Sequence, residues 1–329
     1  MYELRFERSG RLAWHETEEP RLREPDDAIV RPFIAGRCDG DTVPIHRPVS
    51  RPMQAGLALG LIDPIVASIV GPVPFKGPFA IGHECVAEIV ETGPAVTSVT
   101  VGQRVIVPWA ISCGTCPRCL RGLTAKCARA TGTLAAYGFG PSCGPWGGMV
   151  ADRVRVPYAN HLLVPVPDGV PALRVAAAGD NLAAAHGASF VDYVDRSSHR
   201  RELAASFGAR TPTRPEGEYD VAVEATSMAS GVRMAMRALA PGGICTAVGY
   251  YLATGTRVPL MRMYATDATL HLGVSHSRAI LPELLDFVHR TDFPAERVTT
   301  LTAEWDQAPQ AYGARTTKVV LRRDPLDGD

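Results

Sequence analysis

The chain has 329 residues, with Lys+Arg and Asp+Glu at 34 each, so its formal net charge is zero with histidine neutral. That balance excludes a long-range pull toward nucleic acid or an anionic membrane, and the length allows two domains that each bury a core. Lysine stands only at 76, 126 and 318, so neither a Schiff-base lysine nor a Tyr-x-x-x-Lys proton donor is expected. The opening Met1-Tyr2-Glu3-Leu4-Arg5 lacks the apolar core of a signal peptide. Residues 1–43 alternate short apolar runs with turn residues and predict strands, as in Ala28-Ile29-Val30-Arg31-Pro32-Phe33-Ile34. The apolar residues 53–70 predict one or two helices broken at Asp63-Pro64, too interrupted to cross a membrane. Strands follow at 85–90 and 104–107, then a Cys- and Gly-dense loop over 112–148, and 149–167 close this β-rich portion. From Pro171 the period changes. Residues 172–186 predict a helix stopped by Gly187, followed by strand 190–194 and helix 197–207. Strand 219–225, helix 229–239, strands 243–249 and 269–274 and helix 278–289 come next, before a last strand at 317–321. That alternation predicts a mostly parallel sheet.

Eight cysteines in a chain without a secretory signal suggest a cytoplasmic protein that uses thiols for metal or catalysis before disulfides. Cys113, Cys116, Cys119 and Cys127 place four thiols in fifteen residues. Two-residue spacings let successive thiolates turn onto one tetrahedral ion, and four thiolates with no open position make a structural Zn²⁺ site. A ferredoxin-type iron–sulfur run would have its fourth cysteine much closer.

Gly82-His83-Glu84 and Cys38, within Gly36-Arg37-Cys38-Asp39-Gly40-Asp41, would each be unremarkable alone. Together with the four-cysteine loop they resemble the zinc-dependent medium-chain alcohol dehydrogenases. So do Val101-Gly102-Gln103-Arg104-Val105, Gly147-Gly148-Met149-Val150-Ala151-Asp152 and Leu239-Ala240-Pro241-Gly242-Gly243. The resemblance implies an α/β protein with a GroES-like, β-rich catalytic domain over 1–180, to which 301–329 return, and a truncated Rossmann-like, doubly wound domain over 181–300. It implies two Zn²⁺ per chain, the second held by Cys38, His83 and Asp180, with a fourth position left open for chemistry. Glu84 would lie beside that metal, as an occasional ligand at most, and Asp41 would orient the imidazole. The family commonly has Ser or Thr two residues after the first cysteine to pass a proton outward. Gly40 stands there, so Thr42 or His46 would substitute. The segment 44–76 is longer than in the simplest members and is expected to cover the zinc cleft, Leu57, Leu59, Leu61, Ile65 and Ile69 walling it from water. The family also implies a homo-oligomer, a dimer.

One departure is large. A dinucleotide site needs a strand, a Gly-x-Gly-x-x-Gly turn, a helix and an acid about 20 residues after the glycines. Asp195 looks like that acid, yet no closely spaced glycines and no strand precede it over 171–187. The first strand and glycine-rich turn are absent from this stretch of sequence, so only a remnant of cofactor binding at Asp195 is expected. Their loss would let strands 190–194 and 219–225 pair directly. Binding of NAD(P) is therefore not expected. The leading expectation is an enzyme using zinc as a Lewis acid on a small, partly apolar, oxygenated substrate without net hydride transfer: an elimination, isomerisation or cyclisation, by a lyase or isomerase. Glu84 would move the proton, with His46 as alternative. The rival is an NAD(P)-dependent alcohol dehydrogenase or carbonyl reductase with an atypical cofactor site. A third reading is a degenerate binding homologue, against which the intact Cys38, His83 and Asp180 speak.

Overall fold

Strand Ala28–Gly36 is buried at every position but Arg31, so it needs cover on both faces. It lies inside a seven-stranded sheet whose order is Leu301–Glu304, Val319–Arg322, Ala28–Gly36, Glu84–Thr92, Arg104–Val107 and Val164–Pro165, with Val154–Val156 also pairing to Ala28–Gly36. On one face Phe33, Ile34, Val86, Ile106 and Val320 pack with Leu281, Leu285 and Val288 of helix Ser277–Thr291. On the other, Val30, Ala35, Cys85 and Ala87 join Leu4, Phe6 and Met149 in the larger core. A small sheet of Arg11–Glu16, Tyr2–Arg8 and Phe79–Ala80 adds to that side. The structure, a computed structural model, describes residues 1–130, 132–179 and 190–326.

The chain divides into two compact units: Met1–Leu59, Pro64–Leu182 and His276–Asp329 form the first, Gly60–Asp63 and Ala183–Ser275 the second. The sequence reading ran the second domain to 300. The chain returns at His276 because helix Ser277–Thr291 has an apolar stripe at Leu281, Leu285 and Val288, and that stripe is buried in the first unit's sheet. The second unit holds a parallel sheet in the order Thr269–Leu272, Leu239–Ala247, Tyr219–Glu224. Val232 and Met236 of helix Ala229–Arg237 pack with Leu239 and Cys245 to make its core. On the opposite face Val221 and Val223 are 66% and 68% exposed.

Several expectations need correction. Residues 39–43 begin a helix, Asp39–His46, because Cys38 and Asp41 cap it reciprocally. The helix expected over 172–186 begins as a 3₁₀ turn, Ala172–Val175, and 180–189 lie outside the described residues. Residues 190–194 form no strand: Asp192 alone bridges to Arg210. They do not pair with Tyr219–Glu224, whose ladder among the described residues runs to Leu239–Ala247 only. Helix Leu260–Thr266 and strand Leu301–Glu304 were not foreseen. The break at Asp63-Pro64 does separate two helices, Ser50–Ala58 and Ile65–Val70. Their buried residues are Met53 and Val66, whereas Leu59, Leu61 and Ile65 stand in solvent and wall nothing off. Among the described residues no helix is long and apolar enough to cross a membrane.

Candidate functional site

The four-cysteine loop folds around its own thiols. Cys116 caps the short helix Pro117–Leu120, with Pro117 supplying the fixed backbone of the first turn. The Sγ atoms of Cys113, Cys116, Cys119 and Cys127 lie within 4.8 Å of one another, and all four residues are buried. Backbone N–H groups point at the sulfurs: Cys119 and Ala128 donate to Cys116 Sγ at 3.5 and 3.4 Å, and Cys113 donates to Cys127 Sγ at 3.4 Å. Those donors bring the Cys116 thiol down to about 6, while burial and the neighbouring sulfurs push Cys119 up. Such a group ionises together only around a cation. The donor set fits Zn²⁺.

The second site is built by strand register. Gly36 pairs with Glu84 across two antiparallel strands, so Cys38 and His83 leave adjacent strands at one end of the sheet. A β-carbon at Gly36 would collide with the Glu84 carboxylate, and at Gly82 (φ +95°) it would meet Val150, which is why both flanking positions are glycine. Asp41 ties the pair together. Its Oδ2 accepts the Cys38 backbone N–H at 3.3 Å, and its Oδ1 lies 3.5 Å from His83 Nδ1. Burial pushes the Asp41 carboxyl up, and His83 and the Cys38 N–H pull it back. With Nδ1 facing Asp41, the imidazole turns its Nε2 away as the nitrogen for a metal. Thiol, oriented imidazole and buried carboxylate are a donor set that fits Zn²⁺; Asp180, the expected third ligand, lies outside the described residues.

Both expected proton carriers are placed elsewhere. Glu84 is fully buried, and Lys318 Nζ donates to its Oε2, so the carboxylate is fixed as half of an ion pair. His46 ends the helix that Cys38 begins, about 12 Å along its axis, and its Nε2 meets the Gly313 carbonyl at 3.1 Å. That is beyond the reach of direct proton transfer. Thr42, one turn from Cys38, donates its hydroxyl to the Asp39 carbonyl at 2.6 Å.

Four further residues of the site carry no motif in the sequence. Lys318 neutralises Glu84; its rarity was the available signal. Arg37 is 1% exposed and donates to the carbonyls of Tyr312, Ala314 and Thr316 at 2.6, 2.7 and 2.7 Å, which locks the C-terminal segment beside Cys38. Trp109 is buried, and its Nε1 has no hydrogen-bond partner among the described residues. Phe139 stands between Trp109 and His83, with ring centroids at 5.7 and 4.7 Å, so the imidazole has an aromatic wall. No motif marks it.

In the second unit Asp195 is saturated. Oδ1 accepts from the Ser197 N–H and Arg200, and Oδ2 accepts from Arg200 and the Tyr193 hydroxyl. A ribose hydroxyl would have to displace one of these donors.

Residues 24–168 match the alcohol dehydrogenase GroES-like domain. A protein of Mycobacterium tuberculosis named as a probable zinc-binding alcohol dehydrogenase is 25% identical, over 92% of this chain and 82% of its own. Residues 24–168 therefore carry a GroES-like domain of the alcohol dehydrogenase type, and the chain as a whole is similar to a zinc-binding alcohol dehydrogenase. Among solved structures, an alcohol dehydrogenase from Thermus sp. ATN1 superposes with a TM-score of 0.80 at 25% identity, covering 98% of this chain and 99% of that one. A chain from Escherichia coli CFT073, named as a short chain alcohol dehydrogenase and complexed with NADH, shares the fold with a TM-score of 0.73 at 18% identity, over 98% and 99% of the two chains. The likeness extends over nearly the whole chain, and the four-cysteine lobe supplies a donor set that fits zinc.

Proposed function

We propose that this chain works at Cys38, His83 and Asp180 without net hydride transfer, converting an oxygenated, partly apolar small molecule to an isomer or a dehydrated or cyclised product. The saturation of Asp195 carries the reading: where a nucleotide's ribose would need a free acid, both carboxylate oxygens are already engaged, chiefly by Arg200. The absent glycine-rich turn removes the backbone N–H cradle for pyrophosphate as well. These residues do not fit a dinucleotide.

Zn²⁺ at the Cys38–His83 site supplies a Lewis acid that polarises an alcohol or carbonyl oxygen. The protein's own residues do the rest. Asp41 holds the His83 ring in one orientation, and Arg37 and Tyr312 fix the strand end from which Cys38 projects; the Tyr312 hydroxyl donates to the Gly36 carbonyl at 2.8 Å. The Glu84 carboxylate is held by Lys318 Nζ. Thr42 is assigned the proton transfer, because its hydroxyl is one helical turn from Cys38. Trp109 and Phe139 favour a substrate with an apolar body.

The NADH held by the E. coli neighbour favours a second reading, an NAD(P)-dependent alcohol dehydrogenase with an unusual cofactor site. Calorimetric titration with NADH and NADPH separates the two. Binding no tighter than millimolar, worth about 4 kcal/mol, is expected; a micromolar dissociation constant puts the dehydrogenase first. With a substrate in hand, His83→Ala and Asp180→Ala should abolish turnover, and Asp195→Ala should leave it nearly unchanged.

A further inference from the structure

A second concavity lies on the first unit, at the far end of the helix that Cys38 opens. It is a groove of about 480 Å³, within the range of roughly 300–1,000 Å³ typical of small-molecule sites. Four cations line it, each from a different element. Arg8 ends strand Tyr2–Arg8, Arg47 follows helix Asp39–His46, Arg51 stands in the first turn of helix Ser50–Ala58, and Lys76 lies in the loop before Phe79–Ala80. Among the described residues none of the four side chains makes an ion pair or hydrogen bond, although nearby Arg5 and Arg11 do. The one carboxylate lining the groove, Glu7, is engaged by Arg11 at 2.5 Å and His15 at 3.0 Å.

Four uncompensated positive charges around one groove repel one another, on a chain whose total charge is zero. An anion relieves that repulsion. The backbone adds to the same field: helix Ser50–Ala58 begins in the groove, and Val49 gives it no side-chain cap, so its first N–H groups are left to a ligand or water. The walls are held in place. Ser50 Oγ donates to the Phe75 carbonyl at 3.2 Å, joining the helix start to the Lys76 loop, and Ser9 Oγ donates to the Ile45 carbonyl at 3.2 Å, joining the strand end to the helix before Arg47. Between the cations the lining is apolar, from Phe6, Pro44 and Phe75.

We propose that this groove binds a phosphorylated small molecule, its phosphate oxygens on Arg8, Arg47, Arg51 and Lys76 and its carbon skeleton against Phe75. Guanidinium forks match phosphate oxygens in pairs, which is the reason for three arginines around one site. The groove is separate from the metal centre, because the intervening eight-residue helix is about 12 Å long. The proposal does not depend on the reaction performed there.

The test is calorimetry on the zinc-loaded full chain at low salt, with inorganic diphosphate as probe and citrate as a carboxylate anion of comparable charge. One diphosphate per chain is expected, bound about tenfold or more tightly than citrate. Arg47→Gln/Arg51→Gln should weaken diphosphate at least about tenfold while retaining its zinc, in line with the loss of charged hydrogen bonds. Arg8→Gln/Lys76→Gln, on different elements, should do the same if the first variant fails to fold. His83→Ala should bind diphosphate as the unmodified chain does. Absence of saturable binding, equal affinity for citrate, indifference to both double variants, or loss of binding in His83→Ala would each overturn the proposal.

Discussion

Lys318 and Glu84 are a buried pair in which each charge depends on the other. Removing one partner leaves an uncompensated charge in a low-dielectric interior, at a cost of about 3–5 kcal/mol. Lys318→Met should therefore lower the free energy of urea unfolding by that much, and adding Glu84→Gln should restore part of it; a loss below about 1 kcal/mol would show the pair to be dispensable. This pair was illegible in the sequence because its members are 234 residues apart, joined only by sheet register. The four loop cysteines were legible because ligand chemistry demands thiols at short, characteristic spacings, whereas Cys38 and His83, far apart in the chain, were marked only by the family resemblance. Asp195 was legible as an acid after a supposed strand, but its bidentate arginine was not. Arg200 holds the Asp195 carboxyl at about 2, below the ordinary 3.8. A depressed carboxylate stabilises the fold fully above its unfolded value and loses that contribution as pH falls from about 4 toward 2. Allowing for the half-exposed Arg200, the effect is about 1 kcal/mol. Asp195→Asn should flatten the dependence of unfolding free energy on pH across that window and leave the neutral-to-alkaline side unchanged.

At the level of elements, the strands with unbroken apolar runs and the helices with clear start and stop signals were legible in the sequence. Ser197, which accepts the Arg200 backbone N–H at 3.3 Å, opens helix Ser198–Ser206 as a serine N-cap should. Residues 190–194 misled because Phe190, Val191, Tyr193 and Val194 have strand composition but, among the described residues, no neighbouring strand on which to complete a ladder; β-propensity describes fit to a sheet that must already be there. Leu59, Leu61 and Ile65 misled in the same way: apolar residues attract a burial argument, yet the helix boundaries turn them to solvent. The cysteine lobe has little besides its thiols at its centre, so its fold rests on metal. Elemental analysis should find close to two Zn²⁺ per chain, with the four-cysteine ion resisting mild chelation; at most one equivalent from protein purified with zinc would remove the Cys38–His83 assignment. Cys116→Ser should lose one equivalent and expose the lobe at 113–127 to protease, while the remaining zinc persists.

At the scale of the whole molecule, the two units have unequal interiors. The first buries both faces of a seven-stranded sheet, whereas among the described residues the core cluster of the second is Val232, Met236, Leu239 and Cys245. Amide exchange should accordingly be fastest over 198–275 and slowest in Ala28–Gly36 and Glu84–Thr92, since local opening follows the apolar contacts that must be broken. Comparable protection in Tyr219–Glu224 and Ala28–Gly36 would contradict this. The position of Val319–Arg322 has a consequence for synthesis. This strand leaves the ribosome about 280 residues after Ala28–Gly36, yet it lies beside it in the interior of the sheet. At roughly 5–20 residues per second, Ala28–Gly36 waits on the order of 15–60 seconds for that neighbour. Throughout that interval its apolar flank is a template for any other extended chain nearby, and Glu84 has no lysine. Until Val319–Arg322 emerges, the nascent protein is a natural client for a chaperone that shields open sheet edges.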